Sequence, residues 1–230
     1  MPAYNAGAFI EETVDSVLAQ DGVDFELLIA DDASTDDTRD RLQKYGRRER
    51  VRLFFNERNR GAAATRNELI RQARGDYLTP FDADDLMLPS CLLTQAEFLD
   101  RNPDVGVVYG DLVVVWLDDR GRIAQAPALL GMDCNRAWDL RDNLVNHGGS
   151  MSRRALVEQV EGYDESVGSV DDWSLWLKMA EITRIHYLEG ELTVVWRRHR
   201  TSLTCIDPHR ARDIEKIVRE AAARRRGRPL

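Results

Sequence analysis

Two aspartate clusters carry the most legible chemistry in this chain: Asp31-Asp32-Ala33-Ser34-Thr35-Asp36 and Asp82-Ala83-Asp84-Asp85, each directly after an apolar run of strand length. In an α/β protein such strand ends lie at the carboxyl edge of the sheet, where ligands bind. Carboxylates gathered there repel one another and any anionic substrate unless a divalent cation or a ring N–H lies between them. The guest they suit is a metal-bridged nucleotide diphosphate. Asp82-Ala83-Asp84 is a DxD arrangement whose side chains can turn toward one ion, and hard carboxylate oxygens favour Mn2+ or Mg2+. A bare DxD is weak, because aspartates crowd turns for local hydrogen bonding. Its place after a buried strand, with a second acid cluster after another, strengthens it.

Other residues could serve the same guest. In Pro2-Ala3-Tyr4-Asn5, just before the first helical pattern, Tyr4 could lay its ring on a base while Asp32 accepts a hydrogen bond from a base N–H. Asn59-Arg60-Gly61 and Thr65-Arg66-Asn67 sit at and inside the start of a helix and suit nucleotide or phosphate contacts. The bland alternative for Arg66 is an exposed helix arginine. Asp171-Asp172-Trp173 opens a helix, where acids serve as caps; functionally, an acid whose pKa a neighbouring acid raises is a reasonable base toward a sugar hydroxyl. His199 follows a late strand. A lone histidine is more often structural, but beside the carboxylates it is a candidate third metal ligand.

The elements that must position these groups alternate. Residues 9–18 have helical spacing, 25–30 read as a buried strand, Ser34 and Asp37 resemble a capping box, and 51–55 form a second strand. Residues 62–74 are helical, with Gly75 at the expected stop, and 77–81 form a third strand that delivers Asp82. This alternation predicts a parallel sheet with helices on both faces. A helix follows Pro89, residues 105–109 and 113–116 read as strands, and 118–150 as loops and short pieces. The last third holds a turn at 162–165, a helix over 172–180, a strand over 192–196 and a final helix from near Pro208. The expected organisation is one domain: 1–110 for the nucleotide-sugar, 111–205 for acceptor and catalysis, and 206–230 a helix with a basic tail.

The 230 residues carry a net charge of -8, which argues against nucleic acid as a partner. The arginine-rich stretch 219–228 reverses that sign locally; it could touch phosphates or anionic lipid at the inner face of a membrane, or be a solvated, fraying helix end. Cys91, Cys134 and Cys205 show neither a disulfide framework nor a zinc pattern and fit a reducing cytoplasm. No stretch approaches the roughly 18 apolar residues of a membrane span.

Taken in order, Pro2-Ala3-Tyr4-Asn5, the block from Phe25 through Asp36, Asn59-Arg60-Gly61, Ala64-Thr65-Arg66-Asn67, Gly75-Asp76-Tyr77, Phe81 through Asp85, Gly162-Tyr163-Asp164-Glu165 and Asp171-Asp172-Trp173 resemble the inverting family-2 glycosyltransferases of GT-A fold. The resemblance covers roughly residues 1–205. It implies a Rossmann-like, mixed but mainly parallel sheet flanked by helices, and a nucleotide-diphosphate sugar donor, with UDP the expected carrier. It implies Tyr4 and Asp32 at the base, Asp84 helped by Asp82 on the metal, Asp172 as general base, and His199 of Arg197-Arg198-His199 as a further metal ligand. His147, Gly149 and Ser150 fall where such enzymes shape the pocket for a saccharide or lipid-linked acceptor.

Three departures matter. Members carry an apolar strand immediately before the Pro-x-Tyr-Asn block, and here Met1 stands there, so the first central strand is expected to be missing; its neighbours' exposed faces would lower stability or favour a homo-oligomer. The acid pair is Asp171-Asp172 where many relatives have Glu-Asp. No Gln-x-x-Arg-Trp block is present, which argues against a processive synthase. A sugar-1-phosphate nucleotidyltransferase would need a glycine-rich phosphate loop that the chain lacks, and no GxGxxG or Walker loop supports a dehydrogenase or phosphate hydrolase. The non-enzyme alternative is a truncated relative that binds nucleotide-sugar without turnover.

Overall fold

The structure, a computed structural model, describes residues 1–118, 121–125, 128–130, 143, 145–207 and 209–225. Cys134 and Gly131 lie outside them. The first half alternates as its patterning requires: β1 (Pro2–Ala3), α1 (Ile10–Leu18), β2 (Leu27–Asp31), α2 (Thr38–Gln43), β3 (Val51–Phe55), α3 (Ala62–Gln72), β4 (Tyr77–Leu78), β5 (Leu86–Met87) and α4 (Cys91–Arg101). Then follow β6 (Val105–Trp116), β7 (Ala128–Leu130), β8 (Ser150–Arg153), α5 (Arg154–Gln159), α6 (Asp171–Met179), β9 (Arg184–Arg198), α7 (Leu203–Ile206) and α8 (Arg210–Arg225).

The sheet is in two parts. β1, β2 and β3 pair in parallel, while β4-β8-β6-β9-β5, with β7 on β6, form a mixed sheet in which β6 and β9 run parallel. Ile10, Val14 and Val17 of α1 bury against Leu27 and Ile29 of β2, so the 3.6-residue period of one meets the apolar run of the other.

Beside the two-residue β1, between β2 and β4, lies a pocket of about 530 Å³ lined by Met1, Phe25, Leu27, Leu78, Phe81 and Leu92 among others. At its edge the Met1 ammonium donates to the Leu28 carbonyl at 2.9 Å.

Several elements differ from expectation. The third strand is only two residues long and pairs antiparallel with β8; Pro80 has no N–H to extend it. Residues 105–109 and 113–116 are one strand, carried through Gly110 and Asp111 by shifts of register against β9. A side chain at Gly110 would meet the Glu191 carbonyl at 2.3 Å. β9 is correspondingly longer than the expected 192–196. Ser34 and Asp37 do not form a capping box: Ser34 Oγ accepts the Asn5 N–H at 2.9 Å, and Asp36 Oδ1 takes the Thr38 N–H at 2.9 Å. Within the expected loop 118–150, β7 is a short strand on β6. The final helix is not a fraying end through Arg225, since Ile217 and Ala221 pack on Trp173 and Leu177 of α6. Residues 226–230 lie outside the described residues.

Candidate active site

At the carboxyl end of β2 the first aspartate cluster builds a frame. Asp31 is fully buried and accepts the Ser34 N–H at 3.2 Å, with Ala33 in the left-handed region at φ 62°. Asn5, also left-handed at φ 51°, accepts the Thr35 N–H at 2.8 Å through its side-chain oxygen. Gly7 N–H donates to Asp36 Oδ2 at 3.0 Å. The Pro2–Asn5 block and the Asp31–Asp36 block, sequence-distant, are therefore stitched together, and Tyr4 stands at the surface with 49% of its area exposed.

Asp32 turns toward the start of α3. Its carboxylate accepts from Asn56 Nδ2 at 2.7 Å, Arg60 N–H at 3.0 Å and Gly61 N–H at 2.9 Å. A carboxylate has about four acceptor positions, so three donors from one loop use most of them. Asn59 closes the same loop by accepting the Gly61 N–H at 3.0 Å.

Arg66 is the junction of the site. Its Nη2 lies 2.6 Å from Asp82 Oδ1 and its Nη1 2.5 Å from Asp171 Oδ2, with the guanidinium 5.4 Å from the Tyr163 ring centroid. A buried guanidinium is tolerated only when its charge is met; these two carboxylates meet it and take both amino groups, while Nε is buried without a partner. It is not the exposed helix arginine of the bland alternative, since both amino groups are engaged within the protein. Burial raises the Asp82 carboxyl, but Arg66 outweighs it and holds Asp82 below the usual range. Asn67, one residue on, accepts the Tyr163 N–H at 2.9 Å, tying α3 to the 162–165 turn, where Gly162 is left-handed at φ 65°.

The second cluster meets the end of β9. Asp84 Oδ2 and His199 Nε2 are 2.9 Å apart, and His199 stacks on Phe9 at 4.7 Å between ring centroids. Asp85 accepts the Arg197 N–H at 2.9 Å; burial and the neighbouring Asp84 push its carboxyl well above the usual range. Arg197 also donates from Nε to the Asp84 carbonyl oxygen and pairs with Glu12 at 2.6 Å, fixing β9 to this cluster and to α1. Asp84 and His199 are a hard oxygen and an imidazole nitrogen side by side, a pair that fits Mn2+ or Mg2+ as two ligands. Asp82, the expected companion, faces Arg66; among the described residues no three His, Cys, Asp or Glu side chains converge as a metal-holding group.

Asp171 and Asp172 form the first turn of α6. Burial pushes the Asp171 carboxyl up and Arg66 pulls against it. Asp172 is only half-buried; burial first, and then the Asp171 charge, raise its pKa to about 6. Its Oδ1 accepts the Trp173 N–H at 2.7 Å and its Oδ2 accepts from Asn143 Nδ2 at 2.8 Å. A carboxylate with this affinity takes up a proton readily yet is mostly ionised near neutrality. His147 lies buried against Tyr163 and Trp176, at 5.7 and 5.9 Å between centroids, with neither ring nitrogen partnered. Burial and then Arg66 lower its pKa to about 3, so it is neutral near pH 7. It does not line an open acceptor surface.

Sequence reasoning missed Asn56, Arg197, Asn143 and Tyr163. Arg197 stood only as one of a run of basic residues, Arg197-Arg198-His199-Arg200, with nothing to mark it out; Asn56 and Asn143 had no signal either, because their roles depend on which loop folds against which acid.

Residues 1–160 match the family model described as Glycosyl transferase family 2. A Bacillus subtilis (strain 168) protein named as a teichuronic acid biosynthesis glycosyltransferase, TuaG, is 44% identical over 99 residues, covering 43% of this chain and 39% of that one. Chondroitin synthase of Escherichia coli is 29% identical over 187 residues, 79% of this chain and 26% of that one. The chain thus spans less than half the length of these two curated relatives. Among solved structures, S. aureus TarS 1-349 in complex with UDP-GlcNAc matches with a TM-score of 0.76 at 22% identity, over 96% of this chain and 64% of that one. The mannosyltransferase PcManGT from Pyrobaculum calidifontis, in complex with GDP-Man and Mn2+, matches at 0.72 and 22%, over 96% and 62%. At this identity the two structures speak for the shared α/β fold.

Proposed function

The chain belongs to glycosyl transferase family 2, and we propose that it is a metal-dependent inverting glycosyltransferase that moves a sugar from a nucleotide-diphosphate donor, a UDP-sugar, to a hydroxyl of a saccharide or lipid-linked acceptor. The observation that carries this reading is the bridge made by Arg66, which joins Asp82 of the DxD segment to Asp171 of the α6 acid pair. Donor side and base side are thereby held as one unit.

In this reading Tyr4 lays its ring against the base, beside the Asp32 carboxylate and the loop that it holds. Asp84 and His199 would hold the metal, which when bound offsets charge on the departing diphosphate. Asp172 takes the proton of the acceptor hydroxyl as that oxygen forms its bond to the anomeric carbon. The bond from that carbon to the diphosphate oxygen breaks on the opposite face, so configuration inverts. Arg66 keeps Asp171 charged and in place beside Asp172, and that charge helps raise the affinity of Asp172 for the proton. The UDP carried by TarS and the Mn2+ carried by PcManGT support the choice of donor and metal. Residues 1–110 form the donor half, 111–205 the acceptor half, and 206–230 the C-terminal helix and basic tail. A cytoplasmic setting agrees with Cys91, a buried free thiol, and among the described residues no helix is long and apolar enough to cross a membrane.

The test is a panel of UDP-, GDP- and TDP-sugars with Mn2+, read by nucleotide release and by the anomeric configuration of the product, on the wild type and Asp172→Asn. Transfer should collapse in Asp172→Asn while donor affinity stays near wild type; unchanged turnover overturns the assignment. The large cavity beside β1 favours one second reading, a nucleotide-sugar binder without turnover. It predicts saturable donor binding with no nucleotide release from the wild type.

A further inference from the structure

We propose that Asp207, Arg210 and Asp213, the last two in the first turn of α8, form a clamp that sets the position of the Asp171–Asp172 pair, acting as positioning residues. The proposal rests on the reading of Asp172 as base. It concerns a part of the chain beyond residues 1–160, where the family match ends.

The loop 166–170 runs straight into α6, and its backbone is held from the C-terminal segment on both sides of one peptide unit. Gly168 N–H donates to Asp213 Oδ2 at 3.0 Å, and Ser169 N–H donates to Asp207 Oδ2 at 2.9 Å. Arg210 Nη1 reaches the Ser169 carbonyl oxygen at 2.8 Å and its hydroxyl at 3.0 Å. The Asp171 N–H then donates to the Gly168 carbonyl at 3.3 Å, so the clamped residues are bonded directly to the first residue of α6.

Three further observations give the clamp stiffness. Asp213 is only 3% exposed, so its bond to Gly168 competes little with water. A Cβ on residue 168 would lie 2.6 Å from Asp207 Oδ2, so the glycine lets that carboxylate approach the loop. Beneath the loop, Val167 and Val170 pack with Ile217 and Ala221 of α8. Asp172 is directed by its own helix turn, through its bond to the Trp173 N–H, so wherever the start of α6 goes, the carboxylate follows. Arg66 holds that turn from the donor side, and the clamp holds it from behind. A displacement of about 1 Å in a reacting group can cost roughly a hundredfold in rate, which is why a distant terminal helix can matter to chemistry.

The experiment uses the full chain carrying Asp213→Ala, Asp207→Ala and the conservative Asp213→Asn, with Asp172→Asn as reference. It measures kcat and donor KM with whichever nucleotide-sugar of the panel above gives turnover, thermal midpoint, and amide hydrogen exchange over residues 166–173. Asp213→Ala should lower kcat by about 10- to 100-fold with donor KM within about twofold, and speed exchange at Gly168, Ser169 and Asp172. Asp213→Asn, which keeps an acceptor oxygen, should restore most of kcat. A lowered midpoint with kcat unchanged, or exchange at 168–172 unchanged, overturns the clamp. If Asp213→Ala does not fold, Asp207→Ala, whose carboxylate is less buried, carries the same readings. Should Asp172→Asn turn over like the wild type, the base assignment fails by itself, and the exchange data still decide whether the clamp exists.

Discussion

Asp84 and His199, 115 residues apart in the chain, meet at 2.9 Å between Oδ2 and Nε2. The meeting is produced by β9, whose last residues are fixed to the second acid cluster by the bonds from Arg197 to Asp84 and Asp85. In the proposed reading, this histidine and carboxylate would hold the metal.

If so, Asp84→Ala and His199→Ala should each weaken Mn2+-dependent binding of UDP at least tenfold, about 1.4 kcal/mol, while Asp172→Asn leaves it alone. Calorimetric titration of UDP with and without Mn2+ checks this. Equal Mn2+ enhancement in wild type and Asp84→Ala would remove the pair from the metal site.

The pH profile should report Asp172. Burial and the neighbouring Asp171 raise its folded-state pKa from the ordinary aspartate value to about 6, and the base must be ionised to act. Below pH 6 the protonated fraction grows and kcat/KM should fall about tenfold per pH unit; above it the rate should level. In stability the sign is opposite: the folded state binds this proton more tightly than the unfolded state between about pH 4 and 6, so the contribution of Asp172 is present below that window and lost as pH rises through it. An acid limb centred below pH 5 would contradict the assignment.

Arg66 should be sensitive to both removal and shortening. Arg66→Ala leaves the buried Asp171 facing Asp82 without a cation, and breaking such a pair typically costs about 3–5 kcal/mol. Arg66→Lys keeps the charge but replaces a two-armed planar donor by a single ammonium, so it cannot hold both carboxylates in their present positions. Denaturant unfolding should place Arg66→Lys between Arg66→Ala and the wild type in stability, with transfer low in both variants. A fully active Arg66→Lys would show that the bridge is not needed for chemistry.

The cavity between β2 and β4 gives a stability prediction. Joining five or six apolar, β-branched residues ahead of Met1, alongside Leu27 and Leu28, supplies side chains to the lining and replaces a buried terminal amine by a peptide unit. Burial has lowered the pKa of that amine to about 5, a sign of how poorly the place suits a charge. The melting midpoint should rise by at least about 5 °C, since each kcal/mol gained moves a chain of this size by roughly 2–4 °C. No rise would mean that the cavity is filled or relaxed by other means.

Much of this molecule could be read from the chain because the signals were local. The 3.6-residue spacing of Ile10, Val14 and Val17, the apolar run ending at Asp31 and the helix formers from Ala62 onward each fix an element without help from distant residues. The aspartates at the ends of such runs were legible for the same reason. The failures share a cause as well. The expected strand over 192–196 started after Glu189-Gly190-Glu191, yet β9 runs through them. Gly190 adopts φ 81° and gives its N–H to Asp111 Oδ2 at 3.0 Å, opposite the irregularity at Gly110 and Asp111. Two breaks that look like strand ends in isolation are complementary when paired. Ser34 likewise has the spacing of a cap, but the Asn5 N–H offers it a better partner.

The sequence by itself determined the residue types at the site, their order and the elements that end beside them, because strand and helix periodicity is set by neighbours a few positions away. Only the tertiary structure decided who faces whom: that Arg66 spans Asp82 and Asp171, that Asp32 spends itself on the loop before α3, that Asp84 meets His199, and that α8 grips the loop before α6. Those choices follow from burial. A charge or amide removed from water must find a partner wherever the packed fold presents one, and that place is not written in local spacing.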